Sequence, residues 1–240
     1  MTIAGQKGGS GKTAMAVNLA ASLALLEKKT LLVDTDPHAC SSNWLCRNPD
    51  GSGCDLAGVL SARIRFTDAI GKTELPGLDL IPSGSALLQA GLKLSPKSEN
   101  EKILRLFLAD IQPEYDFILV DAPSSYGFLS RLSIAAADQL LVCMAPDSSS
   151  VDDFKCLLAL VTALIRNHDL ALKIAGIVFN RCPDARAIQD FMREQDLLDA
   201  QPMICRTFIP DDPVLARARE RFLPAALLDV KSPAAQAYLA

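Results

Sequence analysis

The sequence is poor in aromatic residues, has no long apolar run and carries little net charge. Its 240 residues include one Trp, three Tyr and nine Phe. No run of eighteen apolar residues is present, so we expect no membrane-spanning helix. The formal net charge of −4 argues against a strong attraction of the whole molecule to nucleic acid and leaves only a local basic patch for that role. Because half of the residues are apolar, a disordered chain is excluded and a large buried core is expected.

The seven cysteines form no Cys-x-x-Cys pair, so the usual zinc and redox motifs are absent from the sequence. Their odd number and wide spacing favour reduced thiols over a disulfide framework. His38, Cys40, Cys46 and Cys54 lie within one segment, but their spacing matches no zinc pattern. The N-terminus also lacks the pattern of a secretory signal. We therefore expect a cytoplasmic protein.

Short apolar runs alternate with helical patterns along the chain, which predicts an α/β fold. We predict strands at residues 2–4, 30–33, 78–81, 117–120, 139–144, 174–179 and 203–208. We predict helices at residues 12–27, 101–111, 129–137, 151–165, 185–197, 214–221 and 234–240. Such repeated units favour a mostly parallel, twisted sheet with helices on both faces. With no repeat or linker in the sequence, residues 1–240 are expected to form one domain.

A glycine-rich segment, GQKGGSGKT at residues 5–13, joins the first predicted strand to the first predicted helix. Its glycines let successive amide groups turn toward phosphate oxygens, and the following helix adds the positive end of its dipole. In a Walker A loop that ends in this way, Lys12 lies along the β- and γ-phosphates and the Thr13 hydroxyl ligates Mg²⁺. The segment therefore favours a nucleotide-phosphate site over a glycine-rich turn without a ligand.

A carboxylate at the end of a neighbouring strand would complete this site. Residues 117–120 are four apolar residues, and Asp121 follows them, as in a Walker B strand. At that strand end Asp121 could hold Mg²⁺ through a water molecule. Many buried strands end in Asp, so the pattern indicates a metal site only in combination with the glycine-rich loop.

Several motifs, in this order along the chain, resemble those of the ParA/MinD family of deviant Walker A ATPases. Lys7 lies inside the loop, five residues before Lys12, as in the family's Lys-Gly-Gly-x-Gly-Lys-Thr loop. The further motifs are Asp34-Thr35-Asp36-Pro37, Asp121-Ala122-Pro123, Phe179-Asn180-Arg181 and Ile209-Pro210. The resemblance covers nearly the whole chain, is weakest at about 46–75 and 85–98, and fits the ParA branch better than the MinD branch.

The resemblance implies a single-domain P-loop NTPase that binds ATP and Mg²⁺ and forms a homodimer around two ATP molecules. The implied catalytic residues are Lys7, which would reach the partner's phosphates, Lys12, and Asp36, which would position the attacking water. The implied metal-site residues are Thr13, Asp34 and Asp121, the two carboxylates acting through water. The implied nucleotide contacts are Lys7, Gly8, Gly9, Ser10, Gly11, Lys12, Thr13, Ala14, Asn180 and Pro210. The plainer alternatives are a solvated loop lysine for Lys7 and a strand-end turn carboxylate for Asp34.

The chain departs from the family pattern at three positions near this site. Ala14 stands where a second Thr is frequent, His38 where Gln is usual, and Ser124 where a second proline is usual. None of these changes removes a charge that the chemistry needs, although they can change how the switch segment behaves. We interpret His38 as a polar residue of the switch loop and not as a catalytic base, because Asp36 already fits that role.

The resemblance also implies non-specific DNA binding through arginines of the C-terminal half. Residues 181–221 hold seven arginines and eight carboxylates, so only a segregated face would attract phosphate. Arg186, Arg217 and Arg219 are the candidate DNA contacts. Asp211 and Asp212 stand where relatives often carry Arg-Asn, which argues against one of the contacts. The alternative is a solvated, salt-bridged helix face.

These observations favour an ATPase that segregates or positions DNA or a protein cargo, stimulated by a ParB-like or cargo-adaptor protein. Such a protein would be cytoplasmic, or nucleoid-associated if it binds DNA. Because the sequence shows no basic amphipathic tail, we expect no membrane contact. The alternatives are a positioning ATPase of a secretion- or cellulose-type complex without DNA binding, and a P-loop ligase or synthetase. A tyrosine kinase would need a tyrosine-rich tail, and the chain has only three tyrosines. An iron–sulfur electron carrier would need cysteines in glycine-rich cluster loops, and the surroundings of Cys143 and Cys182 lack that form.

Overall fold

The computed structural model describes residues 1–5, 8–46 and 54–240, and seven strands in these ranges form one sheet. The strands are β1 (Thr2–Ala4), β2 (Thr30–Asp34), β3 (Gly71–Lys72), β4 (Leu78–Ile81), β5 (Phe117–Asp121), β6 (Gln139–Met144) and β7 (Lys173–Phe179). Their order across the sheet is β3-β4-β2-β5-β1-β6-β7. All neighbours pair in parallel except β3 with β4, which pair antiparallel at the edge. The predicted, mostly parallel α/β sheet is therefore confirmed.

Eleven α-helices connect and cover these strands in the described part of the chain. They are α1 (Lys12–Leu25), α2 (Cys40–Leu45), α3 (Leu56–Leu60), α4 (Ala86–Leu94), α5 (Ile103–Ile111), α6 (Phe128–Ala135), α7 (Ser149–His168), α8 (Ala185–Glu194), α9 (Pro213–Glu220), α10 (Ala225–Leu228) and α11 (Pro233–Leu239). Short 3₁₀ segments lie at Phe66–Ala69, Ser98–Lys102, Gln112–Glu114 and Leu198–Met203. Within these ranges, no helix is both long enough and apolar enough to cross a membrane.

The helices divide between the two faces of the sheet because successive strand residues point to opposite sides. Ile3, Leu32 and Leu119 face one side and pack with α1, α2 and α9–α11. Leu31 and Val120 face the other side and pack with α3–α6, while the neighbouring part of that face packs with α7 and α8. The prediction of helices on both faces is confirmed, and α8 and α9 lie on opposite sides of the sheet.

The strand predicted at residues 203–208 is wrong. The segment pairs with β7 through one isolated bridge, Ile177 with Ile204, and a second bridge joins Asn180 to Ile209 just beyond both. It lies at the sheet edge with every residue at least partly exposed, and Pro202 and Pro210 on its two sides have no amide hydrogen to donate. A short, mostly apolar run therefore produced an edge segment with an isolated bridge, not an eighth strand.

One carboxylate links two of the C-terminal helices, α9 and α11, which also pack in the same apolar core. Asp212 caps α9, accepting a hydrogen bond from the Val214 amide at 2.9 Å. Its second oxygen accepts from the Ala234 amide of α11 at 3.1 Å. Asp211, the adjacent residue, is exposed and has only a long ion pair of 3.8 Å with Arg181.

We predict that Asp212→Ala lowers the free energy of unfolding by about 1–2 kcal/mol, because it removes a helix cap and leaves two amides without their acceptor. Urea denaturation of the purified variant would measure this difference. Asp211→Ala is the matched control and should change stability by less than about 0.5 kcal/mol. Equal losses in the two variants would contradict the capping role.

Candidate functional site

The polar residues predicted for the site meet at one edge of the sheet, where the parallel strands end. The glycine-rich loop follows β1, Asp34 ends β2, Asp121 ends β5 and Asn180 follows β7. Asp34 and Asp121 are register partners on neighbouring strands. Ligands of open parallel sheets bind at this edge. The sheet topology thus brings these residues together from four distant parts of the sequence.

The backbone of the loop is shaped for close approach by an anion. Gly9 and Gly11 have φ values of 83° and 89°, a conformation that favours glycine. A β-carbon at Gly11 would lie 1.7 Å from Nδ2 of Asn180, so no other residue fits there. No side chain caps the N-terminus of α1, which leaves its first amides for a bound group.

The predicted phosphate lysine is buried beside this loop. Lys12 is 5% exposed, and its ammonium donates to Ser124 Oγ at 2.5 Å and to Ser10 Oγ at 3.5 Å. Burial lowers the pKa of Lys12, and the nearby charges of Cys143 and Asp121 act against that shift. A buried cation at the first turn of α1 is well placed to neutralise phosphate charge.

Asp34 and Asp121 are both fully buried, but their hydrogen bonding differs. Asp34 accepts from the Asp36 amide at 3.0 Å and from the amide and hydroxyl of Ser42 at 2.9 and 2.7 Å. Asp121 accepts from the Ser41 hydroxyl at 2.5 Å through Oδ2, whereas Oδ1 has no hydrogen-bond partner among the described residues. Burial raises the pKa of both carboxyls, and the charge of Asp34 raises that of Asp121 further.

This arrangement fits a hydrated Mg²⁺ ion. The unpartnered Oδ1 of Asp121 could accept from a metal-bound water, and the nearby Thr13 hydroxyl acts against the raised pKa of the same carboxyl. Mg²⁺ is usually held by one or two such side chains together with phosphate oxygens and waters. In keeping with that mode, the described ranges contain no cluster of three or more His, Cys, Asp or Glu that could hold a metal by itself.

Asp36, the carboxylate of the switch segment, is contacted by His38, two residues later in the chain. Its Oδ1 accepts from the His38 amide at 2.9 Å and lies 2.8 Å from the His38 Nδ1. Its backbone carbonyl accepts from the Ser83 hydroxyl at 2.7 Å. Asp36 lines a cavity of about 740 Å³ together with Gly8 and Ser124. His38 thus contacts the proposed water-positioning carboxylate, as a switch-loop residue would.

Asn180 contacts the loop in this structure. It is 1% exposed, its Nδ2 donates to the Ser10 carbonyl at 2.9 Å, and its Oδ1 accepts from the Arg181 amide at 2.9 Å. The same carbonyl accepts from the Cys143 thiol at 3.1 Å, and burial raises the pKa of that thiol to about 12. Asn180 therefore fixes the loop beside the place where a base would lie.

A second cavity, of about 350 Å³, opens between the loop and the segment before α9. Its lining includes Gly11, Ala14, Asn180 and Pro213. Its position beside the first turn of α1 suits a base whose phosphates lie in the loop. Ala14 and Asn180 line this cavity, and the nucleotide contacts of Ala14, Asn180 and Pro210 stay predictions.

The candidate DNA contacts do not share one face of the chain. Arg186 lies on α8 and is highly exposed, 3.7 Å from Asp190. Arg217 and Arg219 lie on α9, which packs on the opposite side of the sheet. Arg219 is near the start of α2, since its charge acts against the raised pKa of Cys40. All three DNA contacts stay predictions.

Sequence reasoning missed four contributors to the site, and Lys7 lies outside the described residues. The missed residues are Ser41, Ser42, Cys143 and the hydroxyl of Ser124. Their only signal in the sequence is their position near or shortly after the end of a predicted strand, which many serines and cysteines share. The role of Lys7 therefore stays a prediction from the loop motif.

Comparison with known proteins agrees with this fold. A family model described as an AAA domain matches residues 1–174. The chromosome-partitioning ATPase Soj of Treponema pallidum is 30% identical over 97% of this chain and 91% of its own length. An ATP complex of Cyanothece McdA superposes with a TM-score of 0.87 at 21% identity, over 99% of this chain and 92% of that one. Pyrococcus horikoshii MinD with Mg-ADP gives 0.80 at 25% identity, over 99% and 91%.

A glycine-rich loop between β1 and α1, with a buried lysine and strand-end carboxylates on a parallel sheet, defines a P-loop ATPase. The family match covers most of the chain, and the Soj relative spans nearly all of it. The chain belongs to the ParA/MinD-type ATPase family.

We predict that Asp121→Asn stabilises the nucleotide-free protein by about 0.5–2 kcal/mol, because it removes one of two adjacent buried negative charges. The same change should abolish the Mg²⁺ dependence of ATP binding, since the amide holds a metal-bound water less well. Urea denaturation at pH 7.5 and ATP titrations with and without Mg²⁺ would measure the two effects. Asp110→Asn, at an exposed position, is the control. A destabilised Asp121→Asn protein with unchanged Mg²⁺ dependence would contradict the metal role.

Proposed function

We propose that this ATPase is a dimerising switch that hydrolyses ATP slowly to segregate or position a cargo, with a partner protein as activator. The observation that carries the proposal is the open phosphate side of the site. Gly8 and Gly9 are exposed, and Asp36 faces a broad cavity beside them. Hydrolysis is favoured where bulk water is excluded, so this side needs a cover. A second copy, contributing its Lys7, would supply both the cover and a cation.

The residues divide the chemistry among them. Loop amides and Lys12 bind and neutralise the phosphates. Thr13, Asp121 and Asp34 would hold Mg²⁺, which supplies further neutralisation of phosphate charge when bound. Asp36 would orient the attacking water toward the γ-phosphate, and the Lys7 ammonium of the second copy would stabilise negative charge there. Release of phosphate would remove the shared anion and free the two subunits.

We expect Asp36→Ala to trap an ATP-bound dimer, because it removes the water-positioning carboxylate and leaves the phosphate contacts in place. Size-exclusion chromatography with light scattering, with Mg²⁺ and ATP or ADP, would detect it. A dimer with ATP and a monomer with ADP are the expected result. Lys7→Ala in the Asp36→Ala background should remove the dimer. A monomer under all conditions, with ATP bound, would contradict the dimer switch.

We further propose that the switch acts by binding DNA without sequence specificity. Because Arg186 and the arginines of α9 lie on opposite sides of one subunit, a continuous basic surface would need two copies side by side. DNA binding is therefore expected only in the ATP state. The exposed carboxylate of Asp211 and the net charge of −4 favour the second candidate, the same switch with a protein cargo and no DNA.

We predict that the ATP-bound protein shifts random-sequence DNA at 50 mM salt and releases it at 200 mM, since phosphate contacts weaken steeply with salt over about that range. Arg217→Ala with Arg219→Ala should weaken binding at least about tenfold. Arg63→Ala is the matched control, because Arg63 is exposed and far along the chain from α9. No shift at low salt would favour the protein-cargo function.

A further inference from the structure

The Ser124 hydroxyl faces the phosphate lysine directly. Its Oγ accepts from the Lys12 ammonium at 2.5 Å. Ser124 also lines the cavity that Gly8 and Asp36 line. It therefore lies between the lysine of the phosphate loop and the carboxylate expected to position water.

The loop that carries Ser124 is anchored on both sides of it. The buried Ser130 of α6 donates through its hydroxyl to the Ser125 carbonyl, and the Pro123 carbonyl lies 3.3 Å from the same oxygen. Ser124 itself is exposed toward the cavity. An anchored backbone with an exposed side chain presents the hydroxyl in one place, which reduces the entropy lost when a ligand binds.

A hydroxyl in this position has a proton to offer. Accepting from Lys12 uses one lone pair of Ser124 Oγ and leaves its O–H for an anionic oxygen. Lys12 of such a loop reaches the β- and γ-phosphates. The cavity extends from Ser124 past Gly8 to Asp36, which is the side where the terminal phosphate and the attacking water belong.

We propose that Ser124 contacts the γ-phosphate and makes the site prefer ATP over ADP. The inference rests on the proposed ATPase switch and adds a residue to its nucleotide contacts. The hydroxyl donates to a γ-phosphate oxygen that Lys12 also binds. ADP has no oxygen there, so Ser124 keeps only its contact with Lys12 in that complex.

The test is the affinity of full-length wild-type and variant protein for Mg²⁺–AMPPNP and for Mg²⁺–ADP, measured by calorimetry. Ser124→Ala should weaken AMPPNP binding about tenfold to a hundredfold, the effect of one hydrogen bond to a charged group. Its ADP affinity should stay within about twofold, because the γ-phosphate is absent. Ser124→Thr keeps the hydroxyl and should restore the preference. Ser125→Ala, at the next exposed position, should leave it unchanged.

The outcomes separate this inference from the proposed function. Equal weakening for both nucleotides in Ser124→Ala would show a structural role and would overturn the inference. Tighter binding of both would show that Ser124 merely competes for Lys12, and no change in either would also overturn it. If the wild-type protein binds neither nucleotide, the proposed function itself fails.

Discussion

The side-by-side burial of two carboxylates, Asp34 and Asp121, is the constraint on which the rest of the site depends. They are register partners at the ends of β2 and β5, and both are fully buried. Adjacent like charges away from water disfavour the ionised state of both groups. Protein donors satisfy Asp34, but one oxygen of Asp121 has none within the described ranges. A hydrated cation would be a fitting partner for this pair, and the cost in stability of burying the pair would then be a functional one.

That constraint determines where α2 must lie. Ser41 and Ser42, in its first turn, donate to Asp121 and Asp34. The other end of α2 is fixed because the Trp44 indole donates to the Leu223 carbonyl at 2.8 Å. The next stretch of chain is fixed to α1, since the Ala225 amide donates to Asn18 Oδ1 at 2.7 Å. One layer of helices thus connects the carboxylate pair, the phosphate helix and the C-terminal segment that follows the arginines.

Sequence reasoning predicted correctly those features that are determined by residues close together along the chain. Four to six apolar residues bounded by polar ones suffice to identify a buried parallel strand such as β5. The glycine-rich loop is readable because Gly9 and Gly11 need backbone freedom that other residues lack. The segment 203–208 has the same local pattern as a strand, but its pairing depends on the sheet edge and on flanking prolines, which a local pattern does not contain.

Hydroxyl contacts were beyond sequence reasoning for a different reason. Ser42 reaches Asp34 and Ser124 reaches Lys12 only after the sheet has brought separate segments together. Serine is common in loops, so its identity carries no signal of these contacts. Departure from the family pattern did identify position 124, but only the structure shows that the hydroxyl there faces the phosphate lysine.

The exposed side of the loop explains why this domain can serve as a switch. Its sheet, its helices and the carboxylate pair hold the inner side of the phosphate site rigidly. On the outer side, Gly8 and Gly9 are exposed, and Gly8, Asp36 and Ser124 line one open cavity. A nucleotide bound there presents its terminal phosphate at the surface, where it can be covered by another protein. In the proposed dimer, the interface would be built around a group that hydrolysis removes, which would link association to the ATP state by mass action.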